Sequence, residues 1–305
     1  MPMPMAFRVP LHATHRKRSV LSDAFCLAVI CRTWRGHRSD IAHRHLPHSP
    51  WQASSAMSFF LRGCVALAVL CTTSVAVAAT RCPTLYANGT PPSVSSTTRT
   101  TEVCHTEYVL LASGVTKDPA YSAEHLTDQQ VAGAEAIGRV GSFHDETGIP
   151  AADRSKSSDY TNTGYDRGHM TPAGDASTES SEKETFSMAN VVPQDHKLNT
   201  GEWAHIEEQV RQLAKQHGEL YVVTGPAFDS GTAPTIGTDK VVVPAYVWKA
   251  IYEPGVGAGA YLCVNDSSIN CDVVSIDDLV VMTNVDPFPS LSASVKSHAI
   301  ALVLP

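Results

Sequence analysis

The chain has 305 residues, 43% of them hydrophobic and 17% charged, with a formal net charge of −7; this is ordinary for a globular protein with one large domain or two small ones. The charge is uneven: residues 1–78 hold nine of the 23 Lys and Arg but only two of the 30 Asp and Glu, so 79–305 carries 14 basic and 28 acidic side chains, a net of −14. Such a body argues against a protein that coats nucleic acid, which needs a broad basic footprint, but leaves room for an enzyme with a local basic cleft and a bound cation.

Residues 1–56 are rich in Arg, His and Ser and show no sustained period. They read as an extension outside the mature protein, with an organellar transit segment as the other reading. Residues 57–78 have the order of a secretory signal. Met57 opens it, Arg62 supplies the positive charge, Gly63 to Val77 is apolar or small, and Ala76-Val77-Ala78 is an A-x-A cleavage site. The apolar run is too short to span a membrane comfortably. A mature chain beginning near Ala79 is therefore expected, secreted or periplasmic, with a mitochondrial location as the alternative. Residues 79–305 form the functional domain.

Four of the eight cysteines, Cys82, Cys104, Cys263 and Cys271, follow the cleavage site, and none lies in a C-x-x-C pair. An even count in an exported chain suggests two disulfides. Three pairings exist, and the short-loop one, Cys82–Cys104 with Cys263–Cys271, is favoured. Asn88-Gly89-Thr90 and Asn265-Asp266-Ser267 are formal glycosylation sequons.

The Ser-, Thr- and Pro-rich stretch 79–101 reads as an irregular arm, and Tyr108 to Ala112 as a first strand. Ala120 to Ile137 has helix-like patches, and 148–165 reads as a polar surface loop. Trp203, Ile206, Val210 and Leu213 recur at helical spacing and predict an amphipathic helix over 203–217, stopped by Gly218. Leu220 to Val223 reads as a strand. Residues 240–244 and 246–252 alternate like paired strands, and 273–278 like a strand entering a last helix. Helices and strands mix without regular βαβ alternation, which favours an α+β fold.

Two clusters carry chemistry. The first is Tyr165-Asp166-Arg167-Gly168-His169-Met170-Thr171-Pro172. The second runs from Asn190-Val191-Val192-Pro193-Gln194 to Asn199, Trp203, Glu207 and Arg211. Phosphodiester hydrolysis needs a base for water, positive charge for the phosphoryl oxygens and stabilisation of the leaving oxygen. His, Arg and a neutral Asn that suits Mg²⁺ fit those needs. Singly, each has a plainer reading: His169 a hydrogen-bonder, Asn199 a helix cap, Glu207 and Arg211 a solvated ion pair at i and i+4. In series they outweigh it.

The DRGHM segment resembles the signature of the DNA/RNA non-specific endonucleases, a ββα-metal family that includes secreted bacterial nucleases and mitochondrial endonuclease G. The series Asn190, Pro193-Gln194, Asn199, Trp203, Glu207 and Arg211 is similar in type and spacing. So are Arg139, Phe143 and Asp145, Thr224-Gly225-Pro226 and the VPAYVWKAIY segment. The resemblance implies a mixed, mostly antiparallel sheet flanked by helices. It implies cleavage of DNA and RNA with little sequence preference, leaving 5′-phosphate ends. It makes His169 the general base, Asn199 the direct ligand of one Mg²⁺ (with Mn²⁺ as a substitute) and Glu207 a carboxylate acting on the metal through water. Asn190 orients the catalytic groups, Arg211 contacts phosphate, Arg167 steadies the site and Asp166 is structural. Arg139 is the upstream phosphate-binding Arg, with Arg154 as its rival. The partners implied are DNA and RNA, with a homodimer left open and no membrane contact in the mature form. A phosphodiesterase for small phosphate esters and an inactive nucleic-acid-binding module are the alternatives. No G-x-S-x-G elbow or P-loop is present.

Overall fold

The computed structural model describes residues 79–229 and 231–305; the expected extension at 1–56 and expected signal segment at 57–78 lie outside the described residues. The arm is less irregular than its composition suggests. It holds two short 3-10 turns and a two-residue strand, β1 (Ser93–Val94). β2 (Thr100–Cys104), β3 (Tyr108–Ser113) and β4 (Pro119–Thr127) then form an antiparallel meander. The stretch expected to begin a helix at Ala120 is therefore a strand first. Tyr121 and Ala123 are buried on one face and Ser122, Glu124 and Leu126 on the other, so both faces are covered and no clean alternation marks the strand. The helix, α1 (Asp128–Glu135), starts only at Thr127, whose hydroxyl accepts from Gln130 N at 3.2 Å while Gln130 Oε1 accepts from Thr127 N at 2.9 Å.

Next come β5 (Tyr165–His169), α2 (Glu179–Thr185), β6 (Val191–Asp195), α3 (His196–Thr200) and α4 (Glu202–His217). α4 buries Trp203, Ile206, Val210 and Ala214 and ends at Gly218, whose φ of 94° suits glycine. β7 (Glu219–Ala227) runs four residues beyond the expected strand. β8 (Thr235–Ile236) and β9 (Val241–Val242) pair with each other, so 240–244 and 246–252 are not partners. β10 (Tyr246–Glu253) instead lies between β7 and β11 (Gly257–Val264). β12 (Cys271–Val274), α5 (Ile276–Thr283), β13 (Val285–Asp286) and the short α6 (Ala293–Lys296) complete the chain.

The main sheet has seven strands in the order β12-β11-β10-β7-β4-β3-β2, and every neighbouring pair is antiparallel. Alternation divides it into two faces. Tyr121, Ala123, Val223, Trp248 and Ala250 pack with Ile276, Leu279 and Phe288 of the α5 side. Leu126, Leu220, Val222, Val247 and Ile251 pack with Trp203, Ile206 and Val210 of α4. The structure pairs Cys82 with Cys104 and Cys263 with Cys271, the short-loop pairing. The second joins directly opposed residues of β11 and the edge strand β12. Of the two sequons, Asn88 is exposed, but Asn265 is buried and its amide donates to Pro193 O and Pro244 O at 2.9 Å each.

Candidate active site

The site is built on a two-stranded pair and the helices that follow it. β5 and β6 run antiparallel, with Asp166 opposite Gln194, Gly168 opposite Val192 and His169 opposite Val191. Arg167 and His169, two apart on β5, share one face. At the exit of β6, Asp195 Oδ1 accepts from Lys197 N at 2.9 Å and Leu198 N at 3.3 Å, which starts α3. Leu198 is buried, so its neighbour Asn199 is turned toward β5. There Asn199 Nδ2 donates to Asp166 Oδ2 at 2.9 Å, and the same oxygen lies 2.9 Å from His196 Nδ1. Asp166 thus fixes the amide, and among the described residues Asn199 Oδ1 keeps no hydrogen-bond donor. Asn265 holds the other side of this corner, accepting from Asp195 N at 2.9 Å.

His169, Arg167, Asn199, Glu207, Arg211 and Arg139 line one cleft of about 470 Å³. Asn190 does not. It is fully buried, accepts from Thr171 N at 3.0 Å, and donates to Thr171 O at 2.8 Å and Thr185 O at 2.9 Å. Its amide clamps the backbone that leaves β5. Arg154, the rival of Arg139, spends its guanidinium on Ile149 O at 2.6 Å and Thr147 O at 3.0 Å and does not line the cleft.

His169 sits in an aromatic box. The ring centroids of Phe143 and Phe186 lie 5.2 and 4.9 Å from its own, and Arg139 stands 4.6 Å over Phe186. Its Nε2 is buried without a hydrogen-bond partner. Burial, with a smaller contribution from the Arg139 charge, pushes its pKa down to about 3. The ring is therefore neutral at ordinary pH, as a proton acceptor must be. Arg167 lies between Phe143 and Tyr160, 5.4 and 5.3 Å from their centroids, and donates to Ser157 O at 2.6 Å. Its Nε is also buried and unpaired. Two unmet groups, an acceptor and a donor, thus stand two residues apart on one strand.

Glu207 and Arg211 follow on successive turns of α4. Arg211 Nη1 donates to the buried Asp175 at 2.9 Å, and its Nε and Nη2 donate to Glu208 at 3.1 and 2.9 Å. Burial pushes the Glu207 carboxyl up to about 7, with Lys249 and Arg211 opposing and Asp175 adding to the rise. A desolvated carboxyl and a free amide oxygen in one cleft suit a hard divalent cation, which favours oxygen donors and would restore the charge that burial disfavours. Cys82, Glu102 and Cys104 also lie close together. Two of those donors are disulfide sulfurs, which offer no thiolate.

The resemblance reached the acid, base and amide groups of the cleft through their spacing. Phe186, Asp175 and Asn265 escaped it, because only packing reveals them. Phe186 carries no polar signal, and Asn265 looked like a surface sequon.

The sequence model of the DNA/RNA non-specific endonucleases matches residues 84–294. Human mitochondrial nuclease EXOG is 30% identical over 211 residues, covering 62% of this chain and 57% of the human one. Nuclease C1 of Cunninghamella echinulata var. echinulata is 33% identical over 162 residues, covering 48% and 63%. The chain spans about half the length of the curated relatives it matches. A crystal structure of the EndoG/EndoGI complex superposes with a TM-score of 0.59 at 27% identity, covering 64% of this chain and 88% of that one.

Proposed function

Since the chain belongs to the DNA/RNA non-specific endonuclease family, we propose that it is an exported, divalent-cation-dependent endonuclease that cuts DNA and RNA with little sequence preference. The observation that carries this reading is the neutral, unpaired His169 Nε2 in the same cleft as the unpaired Arg167 Nε, Asn199 and Glu207. Asn199 Oδ1 would hold Mg²⁺ directly and Glu207 through a bound water, with Mn²⁺ as a substitute. The cation would supply positive charge where the phosphoryl group and its leaving oxygen turn negative. His169 Nε2 takes a proton from water as the water oxygen bonds to phosphorus. The bond from phosphorus to the 3′ oxygen breaks, that oxygen regains a proton from solvent, and the phosphate stays on the 5′ end.

Arg167 and the exposed Arg139 hold the phosphoryl oxygens, and Arg211 adds charge from beside Asp175. Asn190 keeps the chain beyond His169 in place. Contacts to phosphate carry no base information directly, so the cut is indifferent to sequence. Export rests on the two disulfides, which persist in oxidising compartments; the mitochondrial names among the relatives keep the other compartment open.

A plasmid-nicking assay with and without EDTA tests the reading. Loss of nicking in EDTA, and its loss in His169→Ala, is the expected result. Cleavage of nucleotide esters without cleavage of polymer favours the small-ester phosphodiesterase, and binding without cleavage favours the inactive module.

A further inference from the structure

β4, β7 and β10 carry a polar row across the α4 face of a largely apolar sheet. Ser122 pairs with Thr224, and Thr224 pairs with Lys249, so the three are direct cross-strand neighbours. All three are at most 1% exposed. A buried ammonium in a sheet core costs a great deal unless its hydrogen bonds are met. Here two of its three donors are met, one of them by the catalytic segment. Lys249 Nζ donates to Met170 O at 3.2 Å and to Thr224 Oγ1 at 2.7 Å, and Ser122 Oγ lies 2.7 Å from Thr171 Oγ1. Met170 and Thr171 are the two residues directly after His169. The row grips them from the sheet, while Asn190 grips them from the other side.

Lys249 also faces α4. Its Nζ lies 5.6 Å from the ring centroid of Trp203, one turn before Glu207. Its charge reaches the carboxyls of Glu124 on β4, Asp175 after β5 and Glu207 on α4. Burial raises the first two above the usual carboxylate range, and Lys249 opposes the rise at both.

We propose that Lys249 is a positioning residue of the site, one that fixes the backbone behind His169 against the sheet and sets its charge among the buried carboxyls of Glu124, Asp175 and Glu207. This rests on the endonuclease reading of the cleft. Lys249 touches neither substrate nor cation. Its removal alters where the base stands, so it changes turnover more than substrate affinity.

The test must separate position from folding. Lys249→Met keeps the length of the side chain and removes its charge, leaving three carboxyls against Arg211 alone. Glu124→Gln replaces one of those carboxyls by a neutral amide, so in the pair Lys249→Met with Glu124→Gln one fewer buried group can carry unbalanced charge, while the grip on Met170 stays lost. Thr224→Val is a third variant that keeps the charge and removes one contact of Nζ. Melting temperature, kcat and KM are measured for each. The expected result is a lower melting temperature and a kcat down about 10–100-fold in Lys249→Met, the size typical of lost outer support, with KM nearly unchanged. The double variant regains melting temperature but not kcat, and Thr224→Val shows a smaller kcat loss at near-normal stability. A double variant with wild-type kcat overturns the proposal, because Lys249 would then serve folding alone. If neither Lys249 variant folds, wild-type kcat in Thr224→Val overturns it. A wild-type chain that cuts no polymer overturns the endonuclease reading itself, whatever the variants do.

Discussion

Gly168 lies against the side chain of Gln194, so that a Cβ at position 168 would stand 2.6 Å from Gln194 Cβ and 2.8 Å from its Cδ. Real atoms do not approach so closely, and this is the physical reason a glycine separates Arg167 from His169. Gly168→Ala should cost about 1–3 kcal/mol, the usual range for an overpacked interior, and should lower activity by shifting its neighbours. Adding Gln194→Ala should return part of both. Thermal melts and nicking rates of the single and double variants check this. A Gly168→Ala protein as stable and active as wild type would rule the clash out.

His169→Ala should lose about 10²–10⁴ in kcat, the usual share of a general base, while calorimetry shows Mg²⁺ bound as before. Stability carries a second signature. The folded pKa of about 3 lies below the ordinary 6.5, so the contribution of His169 is present above pH 6.5 and is lost as pH falls toward 3. Melting temperatures of cation-free protein between pH 7 and 4 should drop more steeply in wild type than in His169→Ala. Parallel curves would mean that the ring is not desolvated.

Asn199→Ala should weaken cation binding at every pH, whereas the contribution of Glu207 depends on pH. Its carboxyl, pushed up to about 7, is protonated below that value, and the proton competes with the cation. Apparent Mg²⁺ affinity should fall about tenfold per unit below pH 7, as one displaced proton requires. Glu207→Gln should flatten that slope. A pH-independent wild-type affinity would remove Glu207 from the cation site.

Much of the cleft was legible because it is contiguous. Residues 165–211 hold strand, strand and helix in order, and their polar residues recur at spacings set by the local backbone. α4 was legible for a similar reason: its apolar stripe is a property of one helix. The sheet was less so. β11 is largely Gly and Ala over 257–260, which signal neither period, and Ala120 and Ala123 gave β4 a helical look. β10 read correctly as a strand but with the wrong partner, since pairing between β7 and β10 is not encoded locally. Lys249 looked like an ordinary polar residue inside an apolar run. Its importance exists only where three strands meet Met170.

Each cystine should add about 2–4 kcal/mol by restricting the unfolded chain. Cys82→Ala with Cys104→Ala frees the arm from β2, and neither residue lines the cleft. It should lower the melting temperature while leaving kcat near wild type. Denaturant melts and nicking rates of the paired variant decide it, and a large kcat loss in folded protein would connect the arm to the chemistry.

The sheet order also sets a timetable for a newly made chain. β7 lies between β4 and β10, so the row beneath Met170 and Thr171 closes only when residue 249 joins residues 122 and 224. β1 waits longer still, for its partner β13 at residues 285–286. Polypeptides emerge from the amino end, so the DRGH segment leaves the ribosome well before the floor that supports it.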